Sequence, residues 1–297
     1  MDLPDGLTAR PLALADAPAV HALIAGEEVV DLGAPDITLE DVVSDWQRPS
    51  YDVAASTIGV LDGDRLVGYA DLAHPGTAYT AVHPAYQGRG IGTALARWLQ
   101  EGARAAGSTA VGTQVPAGSA ADRLMRDLGY RLRWTAWDLE LPEGRQLATL
   151  PLPTGFALRS AGEADREAAW TLVEDAFLEW ADRPRLPLAD WGAMVWDRPG
   201  AEAWNLRLLE TEDGELAGVT HVYLAGDTGH VARLAVRPGY RGRGLAGAML
   251  VDAFALAREH GAVRSRLSTD TRSGARRLYE RAGMVVSSTW VNRAIDL

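Results

Sequence analysis

The 297-residue chain contains no cysteine and no lysine. Without cysteine it forms no disulfide, presents no thiolate nucleophile and builds no thiolate metal site. Without lysine, Schiff-base catalysis and a lysine-dependent Walker phosphate loop are both excluded, because each needs that ammonium group. All 29 basic residues are arginine, set against 40 acidic ones, for a formal net charge of −11. A general nucleic-acid binder needs a basic surface to displace phosphate counterions, so this balance argues against one. Apolar runs are short and broken by charge or glycine, so no membrane-spanning segment is expected. The opening Met1-Asp2-Leu3-Pro4-Asp5 lacks the positive region and apolar stretch of a secretory signal. A soluble cytoplasmic protein is the expectation. Histidine is sparse too: His21, His74, His83, His221, His230 and His260 form no close pair with ligand spacing, so no metal site is expected.

What is present is a repeat. Ala81-Val82-His83-Pro84-Ala85-Tyr86-Gln87-Gly88-Arg89-Gly90-Ile91-Gly92 returns as Ala235-Val236-Arg237-Pro238-Gly239-Tyr240-Arg241-Gly242-Arg243-Gly244-Leu245-Ala246, an offset of 154 residues that still holds at Gly129 and Gly283. Upstream, Leu66-Val67-Gly68 matches Leu216-Ala217-Gly218. Ordered matches along both halves identify two copies of one domain. Proline and glycine at Pro142, Gly144, Pro151, Pro153 and Gly155 interrupt regular structure between them. The expected domains are therefore 1–144 and 154–297, joined by a linker at 145–153.

Each half repeats one order of elements. A short strand (7–12; 155–160) precedes one or two helices (16–27; 163–180). Three strands follow as a meander (54–61, 66–72, 77–83; 203–210, 215–224, 229–236). The glycine-rich turn then opens a long helix (90–105; 244–260), in which Leu245, Ala248, Met249, Ala253 and Leu256 recur at a helical period. A fifth strand, a short helix (120–128; 274–282) and a last strand complete the copy. This order predicts an α+β fold: two tandem domains, each a mixed, mostly antiparallel twisted sheet flanked by helices.

A turn that leaves a strand and opens a helix gathers backbone N–H groups and the positive end of the helix dipole in one place, an anion site. The glycines permit left-handed backbone, and Arg89, Arg241 and Arg243 add countercharge. Gly242-Arg243-Gly244-Leu245-Ala246-Gly247 also satisfies a dinucleotide fingerprint, but it follows antiparallel strands, and the first copy carries Thr93 in place of the third glycine.

In these motifs the sequence resembles the GNAT superfamily of acyl-CoA-dependent N-acetyltransferases, in its actinobacterial two-domain form. The Arg/Gln-x-x-Gly-x-Gly/Ala motif stands at Gln87 to Gly92 and at Arg241 to Ala246. Ala275 to Met284 looks like the family's Ala-x-x-x-Tyr-Glu-x-x-Gly-Phe/Met helix end. The resemblance implies acetyl-CoA as the donor substrate. It implies binding by Ala235 and Val236 on a splayed strand and by the loop Arg241, Gly242, Arg243, Gly244, Leu245 and Ala246. Val82, Gln87, Gly88, Arg89, Gly90 and Gly92 are the first copy's weaker counterpart. The implied chemistry is direct attack of an amine on the thioester, with an N–H near Val236 facing the developing oxyanion.

Tyr279 stands where the family often places the proton donor to the departing thiolate; the plainer alternative is an aromatic packing its helix. His230, with a reference pKa near 6.5, is a candidate base or an ordinary strand-edge histidine. The first copy carries Met125 and Gly76 at these positions, and methionine donates no proton. A catalytic C-terminal copy and a degenerate N-terminal one are expected. Glu174, Asp175, Trp180 and Trp191 are candidates for holding a cationic amine through carboxylates and indole faces, against the alternative of a solvated acidic face with tryptophans in the core. The expected acceptor is a small-molecule amine. A protein or peptide acceptor and a noncatalytic acyl-CoA-binding regulatory module are the alternatives. Monomer and homodimer remain equally open.

Overall fold

The computed structural model describes the chain except Pro75, Glu143, Gln146 and residues 148–150, and except the side chains of Ala73 and His74. Part of the linker expected at 145–153 thus lies outside the described residues. By its contacts the chain forms two compact units, Met1–Ala136 with Ser288–Leu297, and Trp137–Ser287. No helix of the described residues is long and apolar enough to cross a membrane.

The first unit runs β1 (Leu7–Arg10), α1 (Ala17–Leu32), α2 (Leu39–Trp46), the single turn α3 (Val53–Ser56), β2 (Thr57–Asp62), β3 (Arg65–His74), β4 (Thr77–Val82), α4 (Ile91–Ala105), β5 (Ala110–Pro116), α5 (Ala120–Asp127) and into β6 (Arg131–Glu140). The sequence sets these boundaries by ordinary capping. α1 carries proline in its first turn and stops at Gly33 in left-handed conformation. Thr38 and Asp41 exchange side chain-to-backbone bonds of 2.8 and 3.2 Å at the start of α2. The second unit runs β7 (Phe156–Ser160), α6 (Arg166–Leu178), α7 (Leu188–Met194), β8 (Leu206–Thr211), β9 (Leu216–Ala225), β10 (Thr228–Val236), α8 (Leu245–Glu259), β11 (Arg264–Asp270), α9 (Arg276–Arg281) and into β12 (Val285–Asp296).

Within the first unit the sheet order is β1-β2-β3-β4-β5, and within the second β7-β8-β9-β10-β11. Successive pairs are antiparallel except β4–β5 and β10–β11, which are parallel. The fold is α+β, with helices on both faces of each sheet. In the first unit Val60, Ala70 and Ala78 pack on Ile91, Leu95 and Leu99 of α4. On the opposite face Tyr69 and Ala81 meet Val20 and Leu23 of α1 and Trp46 of α2. In the second unit Val222, Val231 and Leu267 pack on Leu250 and Phe254 of α8. Val219, Leu208 and Ala235 face Leu172, Val173 and Trp191 of α6 and α7. Each fully buried side chain of this size contributes about 1.5–3 kcal/mol.

Each unit takes its sixth strand from the other repeat. Residues Trp290 to Asp296 of β12 pair antiparallel with β5 in the first unit, and Arg293 forms a largely buried ion pair there with Asp122. In the second unit Asp138 of β6 accepts from Arg266 at 2.7 Å and Ser268 at 2.5 Å, while Leu139 and Leu141 complete the core. The repeat halves expected from the sequence therefore share their last strands. Deleting residues 288–297 strips β5 of a neighbour and leaves Asp122 without its guanidinium. The expected loss is comparable to a domain's whole stability, about 5–15 kcal/mol. Hydrogen exchange should then show loss of protection in β5 and α5 ahead of β8 and β9; uniform protection would contradict the exchange.

Candidate active site

Strand β10 parts from its parallel neighbour midway. It pairs with β11 only from Thr228 to Val231, whereas its pairing with β9 continues to Val236, with a bulge between Val231 and Arg233. The Arg237 N–H donates to Ala217 O at 2.9 Å, toward β9. Strand alternation then directs the Val236 and Leu234 N–H groups to the opposite, open side. The first unit repeats the split: β4 pairs with β5 only at Thr77 and Ala78, and His83 N–H donates to Val67 O at 2.9 Å.

The loop after β10 makes one 3-10 turn, Pro238–Tyr240, and enters α8 through Gly242 and Gly244 at φ of 77° and 79°. A side chain at either position would be strained, which explains the glycines. Gly244 is the N-cap of α8 and receives no side-chain cap, so the first-turn N–H groups of Leu245, Ala246 and Gly247 have no intrahelical acceptor. Gly88 and Gly90, at 75° and 92°, build the same uncapped entrance to α4.

Around these matching frames the two units differ. In the second, Arg241 donates from Nε to Val236 O at 2.8 Å and clamps Glu179 through two bonds of 2.6 and 2.7 Å. Its charge is thereby neutralised, so Arg241 ties loop to strand, and Arg243, over the Tyr240 ring at 5.4 Å, is left as the countercharge. In the first unit Gln87 donates to Val82 O and to Glu27 Oε1, both at 3.3 Å. The same Glu27 oxygen accepts the Val82 N–H at 3.4 Å. An internal carboxyl thus occupies the open-edge donor that Val236 presents freely. Burial pushes the Glu27 pKa up to about 8, against the pull of the Val82 N–H.

Tyr279 lies on α9, 8% exposed, in the core cluster that also holds Val231, Leu267 and Met284. Burial raises its pKa to about 12, so it remains a proton donor through the neutral range. At the corresponding place Met125 is buried against Ala96 and Tyr130. His230 stacks on Tyr223 with ring centroids 5.3 Å apart, on the opposite face of the sheet from Val231.

The expected acceptor residues divide. Glu174 is buried and engaged: Arg183 donates twice, at 2.8 and 2.9 Å, and the Leu186 N–H once, at 2.8 Å. Burial opposes its ionisation, yet these donors hold its carboxyl below the usual range. Asp175 is exposed and paired with Arg185. Trp191 is fully buried against Trp196 at 4.9 Å, which places it in the core. Trp180 is half-buried beneath Arg272 at 5.0 Å. Glu27 and Arg233 carry no functional assignment from the sequence, His221 is weighed only as a metal ligand, and Glu179 counts only among the acidic residues of the acceptor region. Glu27 and Glu179 lie 152 residues apart, out of step with the 154-residue offset of the loops.

The comparisons follow the same frame. The model of the Acetyltransferase (GNAT) family matches residues 27–130 and 166–284. The mycothiol acetyltransferase of Salinispora arenicola is 33% identical over 80% of each chain. That of Sanguibacter keddieii is 30% identical over 96% of this chain and 94% of its own. A crystal structure of a GCN5-related N-acetyltransferase from Sphaerobacter thermophilus superposes with a TM-score of 0.78 at 29% identity, covering 99% of this chain and 97% of its own. A tandem GNAT protein from the clavulanic acid biosynthesis pathway shares the fold at a TM-score of 0.70 and 20% identity, over 98% of both chains.

Glu27 gives a direct test of the closed edge. Its pKa rises on folding from 4.5 to about 8, so the folded state holds its proton more tightly. Its contribution is fully present below pH 4.5 and is lost as pH rises through 8. Across that window it lowers the unfolding free energy by up to ~1.4 kcal/mol for each pH unit of rise. Denaturant titrations at pH 5, 6.5 and 8 should show a shallower slope in Glu27→Gln than in the native chain; identical slopes would contradict the buried carboxyl.

Proposed function

The chain belongs to the GNAT family of acyl-CoA-dependent N-acetyltransferases, and on that premise we propose that its second unit moves an acetyl group from acetyl-CoA to the amine of a small molecule. The observation that carries this reading is the one-sided pairing of β10 beyond Val231, which runs into the uncapped loop at Gly242 and Gly244. The pyrophosphate rests on the N–H groups from Gly242 to Ala246, with Arg243 beside it. The pantetheine arm lies along the open edge of β10 and pairs with the Val236 and Leu234 N–H groups.

His230 stands six residues from Val236, about 20 Å at ~3.3 Å per residue of strand. A base at His230 therefore serves a thioester near the bulge, not one at Val236. This moves the oxyanion donor from Val236, as expected on sequence, to the Leu234 N–H on the same open side. Tyr279 packs in the cluster of Val231 and Leu267, consistent with a thioester at that level.

The amine nitrogen attacks the thioester carbonyl carbon, and its lone pair becomes the new C–N bond. The carbonyl oxygen takes up negative charge opposite the Leu234 N–H. His230, directly or through water, accepts the ammonium proton. Collapse breaks the C–S bond, and Tyr279 supplies a proton to the departing CoA thiolate. Asp175 and Trp180 remain proposed acceptor contacts, with Glu174 and Trp191 bracing them from within the core. The relatives' shared designation, mycothiol acetyltransferase, supports a small-molecule acceptor.

The first unit lacks this apparatus. Met125 replaces the proton donor, and the Glu27 carboxyl occupies the Val82 N–H. We assign it no chemistry.

Tyr279→Phe and His230→Ala test the roles. With thiol release from acetyl-CoA as readout, each should lower kcat at least ~10-fold while leaving CoA affinity within ~3-fold. In the Phe variant the aromatic packing survives, so the loss reports on the hydroxyl. Unchanged kcat in both would sink both assignments.

A further inference from the structure

Arg233 follows the β10 bulge, opposite His221 on β9. Its guanidinium donates to His221 Nδ1 at 3.1 Å and lies over the Trp191 ring at 5.8 Å. Among the described residues no carboxylate stands within ion-pair distance of it, and His221 Nδ1 is the one side-chain acceptor it meets. Arginine only donates, so the neutral His221 ring must carry its proton on Nε2. That atom is also buried without a partner.

The surroundings increase the imbalance. The guanidinium groups of Arg183 and Arg198 lie close enough to disfavour the charge on Arg233, and the Glu174 carboxylate close enough to favour it. Glu174 is already engaged by Arg183 and the Leu186 N–H. Burial, joined by Arg233 and Arg198, holds His221 well below its usual pKa and hence neutral.

The first unit carries different polar groups at this register. There Asp71 pairs across the strands with Tyr79, as His221 does with Arg233. The buried Asp71 carboxylate accepts from the Tyr69 hydroxyl at 2.6 Å and from the Tyr51 hydroxyl. In one unit a carboxylate at this register is satisfied by two hydroxyls, with a tyrosine opposite it; in the other a forked cation faces the level where we place the thioester.

We propose that Arg233, braced by His221, recognises a carboxylate on the amine acceptor, so that the substrate class is an amino acid or another amine bearing a carboxylate. This rests on the transferase reading of the second unit and reverses the cationic acceptor that the carboxylates of α6 led us to expect. A carboxylate matches the two-pronged donor geometry of guanidinium and balances the local positive charge. His221 acts through Arg233 as a positioning residue, fixing its direction by accepting one N–H.

The experiment uses the full chain saturated with CoA, which lacks the acyl group and permits binding without turnover. Glycine, β-alanine, γ-aminobutyrate and a set of α-amino acids are titrated calorimetrically beside their carboxamides, with phosphoethanolamine as a further probe. At least one carboxylate should bind about 10-fold or more tighter than its carboxamide, the worth of one charge-assisted pair. That ratio should fall to about one in Arg233→Gln and recover in part in Arg233→Lys, with CoA affinity unchanged. Equal affinities, no binding by any carboxylate, preference for phosphoethanolamine, or a ratio unmoved by Arg233→Gln would each overturn the assignment. The native comparison stands even where a variant fails to fold. Thiol release from acetyl-CoA is measured on the same panel. Selective carboxylate binding without release would fault the transferase reading alone; release that ignores the carboxylate would fault this subsite alone.

Discussion

Beyond Val231, β10 has a hydrogen-bonding partner on one side only, and the organisation of the second unit follows from that lost pairing. A buried sheet rarely leaves backbone donors and acceptors unused, because each unmade bond carries a desolvation cost of about 1–3 kcal/mol. Here the open stretch runs directly into a loop whose Gly242 and Gly244 adopt left-handed backbone and whose helix begins uncapped. Edge and loop together form a continuous line of N–H groups. An extended ligand with amide groups at one end and phosphates at the other satisfies both.

The bulge between Val231 and Arg233 marks the end of that line and sorts the side chains around it. Val231 stays on the α8 face, in the cluster containing Tyr279. His230 and Arg233 lie toward the face that carries His221, Tyr223 and Trp191. Tyr279 and His230, to which we assign the leaving thiolate and the attacking amine, thus stand on opposite sides of one strand. The first unit keeps the split strand and the uncapped glycine entrance but closes the strand edge with its own atoms. Glu27 takes the Val82 N–H, Met125 fills the tyrosine position, and Asp71 is satisfied by Tyr51 and Tyr69. Duplication preserved the frame, and the polar groups within it diverged.

Much of the frame was legible in the sequence. The strand order, the two long helices and both glycine turns fall within a few residues of their expected places, because hydrophobic period and glycine position are local signals. The exchange of last strands was not legible: β12 looks alike whether Ile295 packs in its own half or the other, and only tertiary pairing decides. The candidate site was legible as far as a motif marks it: the glycine loop has the left-handed, uncapped entrance expected of it, and Tyr279 lies on the expected short helix. It was illegible where charge pairing decides function. Glu174 and Asp175 look alike in sequence, and only the structure separates Glu174, closed in the core by Arg183, from Asp175, paired with Arg185 at the surface. Arg233 looks like any arginine until it is seen to have no carboxylate partner among the described residues, and Glu27 gives no sign in sequence that it folds back onto Val82.

The central claim is that acyl-CoA is held by the second unit alone. Calorimetric titration with acetyl-CoA measures this most directly, through the number of sites per chain and its response to Gly244→Val and Gly90→Val. The account predicts one site, abolished at Gly244 and indifferent to Gly90. Two sites, or one that survives at Gly244 and is lost at Gly90, would contradict it.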